Sequence, residues 1–378
     1  MRPLVIAWKE LLQLRRDRLT LAMMVVLPIL QLMLFGYAIN TDVRHIPTLI
    51  YDQDWSAESR DLARRMEATG FYDIVGYVKT YDEVSAALRS GRARAALVVP
   101  PDLASHMARR RPTTIQLVVD GSDPQTVASA TNTAASLVAE LGAELSVAAS
   151  SPTGARPSPS SPVIAPLGLE PTTWYNPDLR TAVYVVPGLV GVILTMTTVM
   201  LTSMAVVRER ERGTLEQLIV SPIRPVELIV GKILPYVAMG YVQMTVILVA
   251  GSWIFRVPLV GSMPLLYLLA FVFISANLAL GLFFSTLAKT QQQAMQMSFF
   301  FFLPNVLLSG FMFPFEAMPR PAQWLSQGLP LTHFLRIVRG IVLKGATFAD
   351  IASEFVSLAI ILGALILLAS LRFSKKLD

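Results

Sequence analysis

Two uncharged runs, Thr181–Val207 and Ile233–Phe255, constrain this chain more than any other feature. Each is longer than the roughly 20 apolar residues a helix needs to cross a bilayer. Between them lies a charged break, Val207–Lys232, reading VRERERGTLEQLIVSPIRPVELIVGK. The break therefore reads as a loop between two membrane helices. Arg208, Glu209, Arg210, Glu211 and Arg212 form a dense charge run that Gly213 and Thr214 stop. Leu215, Leu218 and Ile219 then recur at helical spacing, with Glu216 on the polar side. Ser221-Pro222 and Arg224-Pro225 make two turns. The pattern predicts a short amphipathic helix over Thr214–Val220, lying at the membrane surface between hinges, where a soluble motor can push on it.

Composition supports the membrane reading. Only 15% of the 378 residues are charged, against about 25% in a soluble domain. The net charge of +6 needs no nucleic-acid partner, because membrane proteins keep Lys and Arg at their cytoplasmic edges. The chain has no cysteine, which excludes disulfides, zinc thiolates, Fe–S clusters and thiol catalysis. A long charged segment precedes the first apolar run and no A-x-A site follows it, so a cleavable signal peptide is not expected.

In order, residues 1–18 carry Leu4, Val5, Trp8, Leu11 and Leu12 at three- and four-residue steps, with Lys9, Gln13 and Arg16 opposite. This predicts a helix lying in the cytoplasmic interface, with Trp8 at headgroup level. Residues 19–39 read as the first membrane helix. Five basic residues precede it, which sets the N-terminus in the cytoplasm. Residues 40–180 then fall outside and alternate strand with helix, predicting an α/β domain. Strands are expected at Ile46–Tyr51, Tyr72–Val78, Ala95–Val99 and Ile115–Asp120. Helices are expected at Ser56–Thr69, with Ser56 as N-cap, and at Tyr81–Ser90, Asp102–Arg109 and Pro124–Ala149. Residues 150–171 are rich in Pro and Ser and read as an extended linker, and Thr173–Asn176 as a returning strand. Asp52, Asp54, Asp120 and Asp123 follow strands, where turn-forming Asp is commoner than a metal ligand; no catalytic or metal site is expected.

The remaining spans are expected at 181–207, 233–255, 263–288, 294–313 and 355–371, with the cytoplasmic loop at 208–232 and a cytoplasmic tail at 372–378. Residues 314–347 read as short external helices dipping back into the outer leaflet. The sum is an α-helical polytopic membrane protein: six transmembrane helices, an N-terminal interfacial helix, and an α/β external domain inserted between helices 1 and 2.

The stretch RERERGTLEQLIVSPIRPVELIVGKILPY resembles the cytoplasmic loop of ABC-2 type transporter permeases, whose pattern is roughly E-R-E-x-G-T-x-E-x-L-x-x-[ST]-P followed by Gly-Lys. Glu209, Arg210, Glu211, Gly213, Thr214, Glu216, Leu218, Ser221, Pro222, Gly231 and Lys232 fit it. LLSGFMFPFEAMP, Leu307–Pro319, is similar to the family's stretch at the outer end of the fifth helix. Lys9-Glu10 and Arg16-Asp17 resemble its interfacial helix. The resemblance implies six spans with both termini cytoplasmic, a bacterial inner-membrane location, an external domain in this position, and assembly as half of a homo- or heterodimer of permeases. It leaves room for a periplasmic membrane-fusion adaptor and an outer channel. Since the chain holds no G-x-x-x-x-G-K-[ST] loop, it binds no nucleotide itself. ATP and Mg then belong to a separate cytoplasmic ATPase subunit, coupled through Glu209–Pro222, Leu215 included.

The spans carry no ionisable group at mid-depth, which argues against a proton-coupled carrier; nor is there an internal repeat of the kind carriers show. An intramembrane enzyme lacks its constellation. Gln31, Gln243, Asn277, Asn305 and Ser309 are among the polar residues in the spans, read mainly as packing between helices. Thr195, Met196, Asn305 and Ser309, on the second and fifth spans, are the candidates for lining a path. A Met/Phe wall around Met295–Phe302 suits a hydrophobic or amphipathic, drug- or lipid-like cargo. The competing reading is a membrane-anchored receptor or adaptor organised around the external domain.

Overall fold

A computed structural model describes residues 43–109, 111–150, 167–212 and 225–374. The expected interfacial helix (Trp8, Lys9, Glu10, Arg16, Asp17), the first span and the Thr214–Val220 helix lie outside the described residues, as does the linker up to residue 166.

The α/β pattern folds as its alternation demands. β1 (Ile46–Asp52), β2 (Tyr72–Val78), β3 (Ala95–Val99), β4 (Thr113–Asp120) and β5 (Leu167–Trp174) form one sheet in the order β2-β1-β3-β4-β5. β1 pairs in parallel with β2 and β3, β4 runs antiparallel to β3, and β5 is parallel to β4. Helices α1 (Ala57–Ala68), α2 (Tyr81–Arg89), α3 (Leu103–Ala108) and α4 (Pro124–Ser150) cover it. Every residue of the central β3 is buried. Ala95, Leu97 and Val99 face the core shared with α1, α3 and α4. Ala96 and Val98 face the core shared with α2, as a two-residue period on a doubly covered strand requires. Ser56 and Thr80 cap α1 and α2 by accepting from Ser59 N–H and Glu83 N–H. The linker expected to run through Pro171 is shorter: Leu167–Trp174 pairs along its whole length with β4. Proline is tolerated there because β5 is an edge strand.

The apolar half contributes α5 (Thr181–Glu211), α6 (Pro225–Ile254), α7 (Met263–Leu287), α8 (Gln291–Leu308), α9 (Arg320–Gln327), α10 (Pro330–Lys344) and α11 (Phe348–Ser374). Among the described residues, four helices are long and apolar enough to cross a membrane: Thr181–Glu211, Pro235–Ile254, Met263–Leu287 and Phe348–Arg372. The first and third are 56% and 61% buried over their most apolar windows, the second and fourth 28% and 11%. So α5 and α7 form the centre, while α6 and α11 turn apolar faces outward. Where a continuous helix was expected over 294–313, α8 covers Gln291–Leu308 and stops before Gly310, whose φ is 84°.

Residues 314–347 fold as a 3-10 turn (Phe315–Ala317), α9 and α10. Helix α10 is buried at every position except Arg336 and Arg339. It is wedged among the long helices: the Phe334 ring stacks on Phe273 of α7 at 4.0 Å, and a Cβ added at Gly191 of α5 would lie 2.7 Å from Leu331. Thr347 and Asp350 then start α11 with a cap in which the Asp350 carboxylate accepts from the Thr347 N–H and hydroxyl. That start is seven residues before the expected Phe355.

Candidate functional site: the charged end and the polar seam

The helix-to-loop junction does not fall at Val207. α5 continues through Arg208, Glu209, Arg210 and Glu211, because Arg208, Arg210 and Glu211 find partners at the ends of neighbouring helices. Arg210 donates to the carbonyls of Ser285 (2.6 Å) and Ala288 (3.0 Å), satisfying the C-terminal end of α7, where a cation also meets the negative end of the helix dipole. Glu211 accepts from the Gln291 backbone N–H at 2.9 Å, at the N-terminus of α8 where an anion is favoured. Arg208 Nε donates to Gln291 Oε1 at 3.0 Å. The charge run, legible in the sequence as a contact surface for a partner, thus first ties three helix ends of its own chain together. The other coupling candidates, Gly213, Thr214, Leu215, Glu216, Leu218, Ser221 and Pro222, lie outside the described residues.

The four path candidates are split by helical geometry. Thr195, Asn305 and Ser309 are buried, whereas Met196 is 40% exposed, as neighbouring positions about 100° apart on one helix must be. α5 and α8 run antiparallel, in a register fixed by Ser203 Oγ and Ser298 Oγ at 3.0 Å. About two turns from that contact, toward the other end of both helices, Thr195 and Asn305 come to the same level. Among the described residues, Thr195 Oγ1, Thr202 Oγ1 and both polar atoms of the Asn305 amide are buried without a hydrogen-bond partner. Ser309 is satisfied by the Val306 carbonyl at 3.0 Å. Of the other polar residues, Gln243 accepts from Thr197 across α5 and α6 at 2.9 Å, and Asn277 donates back into its own helix at 3.0 Å. A lone Asn or Thr in a span gives no sequence signal of whether it will be partnered. The pairing depends on register between helices far apart in the chain.

At the opposite end of α5 the sheet domain meets the helices. Asp52 and Asp54 lie at the other end of the sheet, beside Val99, and serve as turn and cap residues: Asp52 accepts from the N–H groups of Asp54 and Trp55, and Asp54 from Ala104 N–H. Asp120 does something else. It is 1% exposed and pairs with Lys344 at 2.5 Å and Arg94 at 2.9 Å. Burial pushes the Asp120 carboxyl up, but Lys344 and Arg94 beside it outweigh burial and bring it down to about 2. Burial likewise works against Glu316, and Arg94 at 3.2 Å holds it below the usual range. Nearby, His333 is buried between the Gln327 carbonyl (2.9 Å) and the Glu354 carboxylate (2.6 Å), which also accepts from Arg336. An open cavity of about 630 Å³ lies along this junction.

Residues 18–371 match the family described as ABC-2 family transporter protein. The chain is 31% identical over 339 residues to the probable multidrug ABC transporter permease YbhR of Escherichia coli (strain K12), covering 90% of this chain and 89% of that one. It is 30% identical over 339 residues to the probable multidrug ABC transporter permease YbhS of the same organism, covering 89% and 87%. Against the inner membrane transport permease YhhJ the identity is 29% over 336 residues, covering 87% and 85%. No solved structure matches the chain significantly.

Proposed function

The chain belongs to the ABC-2 family of transporter proteins, a multi-pass membrane permease, and from that premise we propose that it is the transmembrane subunit of an ATP-driven exporter. It moves a hydrophobic or amphipathic, drug- or lipid-like substrate out of the cytoplasm or inner leaflet. ATP hydrolysis resides on a separate cytoplasmic subunit, and two permease copies or paralogues form the pathway. Six spans cross the bacterial inner membrane with both termini in the cytoplasm, and the α/β domain lies outside, where a periplasmic adaptor can reach it.

One observation carries the reading: Arg208, Arg210 and Glu211 lock the loop-bearing end of α5 to the ends of α7 and α8. A push delivered to residues 208–232 then reaches three helices at once. The multidrug wording in the names of the YbhR and YbhS relatives supports the cargo class. Thr195, Asn305 and Ser309 serve the pathway from within the helix packing, and Met196 from its outward face.

Copurification of an ATPase with the tagged permease tests the energy source, and a receptor or adaptor built around the α/β domain would bring none. The coupling role rests on Leu218, whose apolar side chain suits a groove in the ATPase; losing such a buried anchor typically costs about 2 kcal/mol or more. Leu218→Asp is expected to release the ATPase or to uncouple hydrolysis from export while the membrane part stays folded. Reversal of Arg208 alone is expected to do much less. A Leu218→Asp protein that keeps its ATPase and exports at the normal rate would remove this loop from the mechanism.

A further inference from the structure

The junction between the sheet domain and the helices is built of charges drawn from distant parts of the chain. Lys344, the last residue of α10, bonds to Asp120 at the end of β4 and to the Leu88 carbonyl of α2 at 3.1 Å. Its ammonium also sits 5.5 Å from the centre of the Tyr175 ring. Arg94 bridges Asp120 and Glu316 of the 3-10 turn. Arg89 pairs with Asp350 in the first turn of α11 at 3.3 Å. Ala317, from the same 3-10 turn, packs into the apolar core of the sheet domain itself. Three separate helix-side segments therefore grip the domain, besides the covalent connection from β5 to α5.

That connection has no slack. Tyr175 and Leu179 both adopt left-handed backbone conformations, with φ of 68° and 48°, which residues with side chains take only where surroundings dictate it. Gly121 N–H donates to the Trp174 carbonyl at 2.9 Å, and a Cβ at Gly121 would lie 2.7 Å from that oxygen. Asn176 closes the turn by accepting from Arg180 N–H, and Arg180 reaches the Phe255 carbonyl at the end of α6. A swing about this connection would break all three grips together. It would also part a buried charge cluster whose pairing fixes one geometry.

We infer that the sheet domain is a rigid lever clamped to α10 and α11 through Lys344–Asp120–Arg94–Glu316 and Arg89–Asp350, rather than a head on a flexible tether. Lys344 is a positioning residue in this arrangement. A load on the domain passes directly to α10, which is wedged among α5, α7 and α11. The clamp is a property of the chain itself; its use in transport rests on the permease reading above.

The chain lacks cysteine, so the test is direct. Arg89→Cys and Asp350→Cys are introduced together and bridged with a cleavable bis-maleimide. The bridge is expected to form in the permease alone, and equally in every nucleotide state of the complex with its ATPase. The bridged complex, reconstituted with its ATPase, is expected to turn over ATP within about twofold of the unbridged one, because no step requires the two to separate. A bridge that does not form, or turnover that collapses on bridging and returns on cleavage, overturns the proposal. Lys344→Met is the loosening arm: the wild-type permease is expected to melt in a single transition, the variant in two, the sheet domain separating first. One unchanged transition in the variant means the cluster does not clamp. Bridging yield and melting are read on the permease alone, so absence of an ATPase partner would sink the exporter reading without touching these two results.

Discussion

Asn305 and Asp120 are both buried polar side chains, yet their surroundings give them opposite consequences. Asn305 has neither amide atom partnered, and an unmatched buried polar group costs about 1–3 kcal/mol. Asn305→Leu, close in size and free of that cost, is therefore expected to raise thermal stability. If the residue also serves the pathway, export falls in the same variant; a lower melting temperature would mean the amide is a packing element. Asp120 is satisfied twice over, and its carboxyl lies near 2 in the folded chain against about 3.9 unfolded. The stability it contributes is present above about pH 4 and is lost as pH falls through about 2, on the order of 2 kcal/mol. Asp120→Asn should thus be clearly less stable than the wild type at pH 6, and the gap should narrow at pH 3. Local roles such as the Ser56 cap were legible because their partners lie within one turn. The Asp120–Lys344 pair spans 224 positions, and no local pattern in the sequence announces it.

At the scale of elements, period and punctuation were enough for most of the sheet domain: β2 begins and ends with its apolar alternation, and β3 with its continuous apolar run. β5 was read short because Pro171 and its neighbours look like linker until an adjacent strand offers an edge. Helix α5 was read short because charges normally end a span, whereas here the ends of α7 and α8 receive them. Close helix approach has its own signature in glycine. A Cβ at Gly281 of α7 would lie 2.8 Å from the Val199 carbonyl and 2.9 Å from Thr202 Cβ of α5. Neither atom can yield without moving the helix, so Gly281→Ala should lower stability by about 1–3 kcal/mol. At Gly363 of α11 nothing lies within 4 Å. There the same change should be neutral or stabilising by up to about 1 kcal/mol, the helix-propensity difference. Melting the two variants side by side checks both, and equal effects would mean that α5 and α7 do not meet at this glycine.

At the scale of the whole molecule, the clamp and the charged loop end lie at opposite ends of α5, whose 31 residues span about 46 Å. That separation is enough to place a bilayer between them, and it predicts how excision of the sheet domain should behave. Replacing residues 44–174 with a short Gly/Ser linker leaves Arg208, Arg210 and Glu211 with all their partners on α7 and α8. Binding of the ATPase is therefore expected to survive. The other end loses Asp120, Arg94 and Arg89, which leaves Lys344, Glu316 and Asp350 without their ion-pair partners. Removing one side of a buried pair costs about 3–5 kcal/mol when the remaining charge stays buried, and less here because excision opens the junction to water. The excised permease should thus be less stable than the full chain, with the loss confined to α10 and the start of α11. Lys344→Met with Glu316→Gln in the excised background should restore part of it, since of the three stranded charges only Asp350 then remains. Hydrogen exchange on α10 and copurification of the ATPase read the two ends separately. Fast exchange on α10 with the ATPase retained is the expected result; loss of the ATPase with α10 still protected would mean that the two ends are not organised independently.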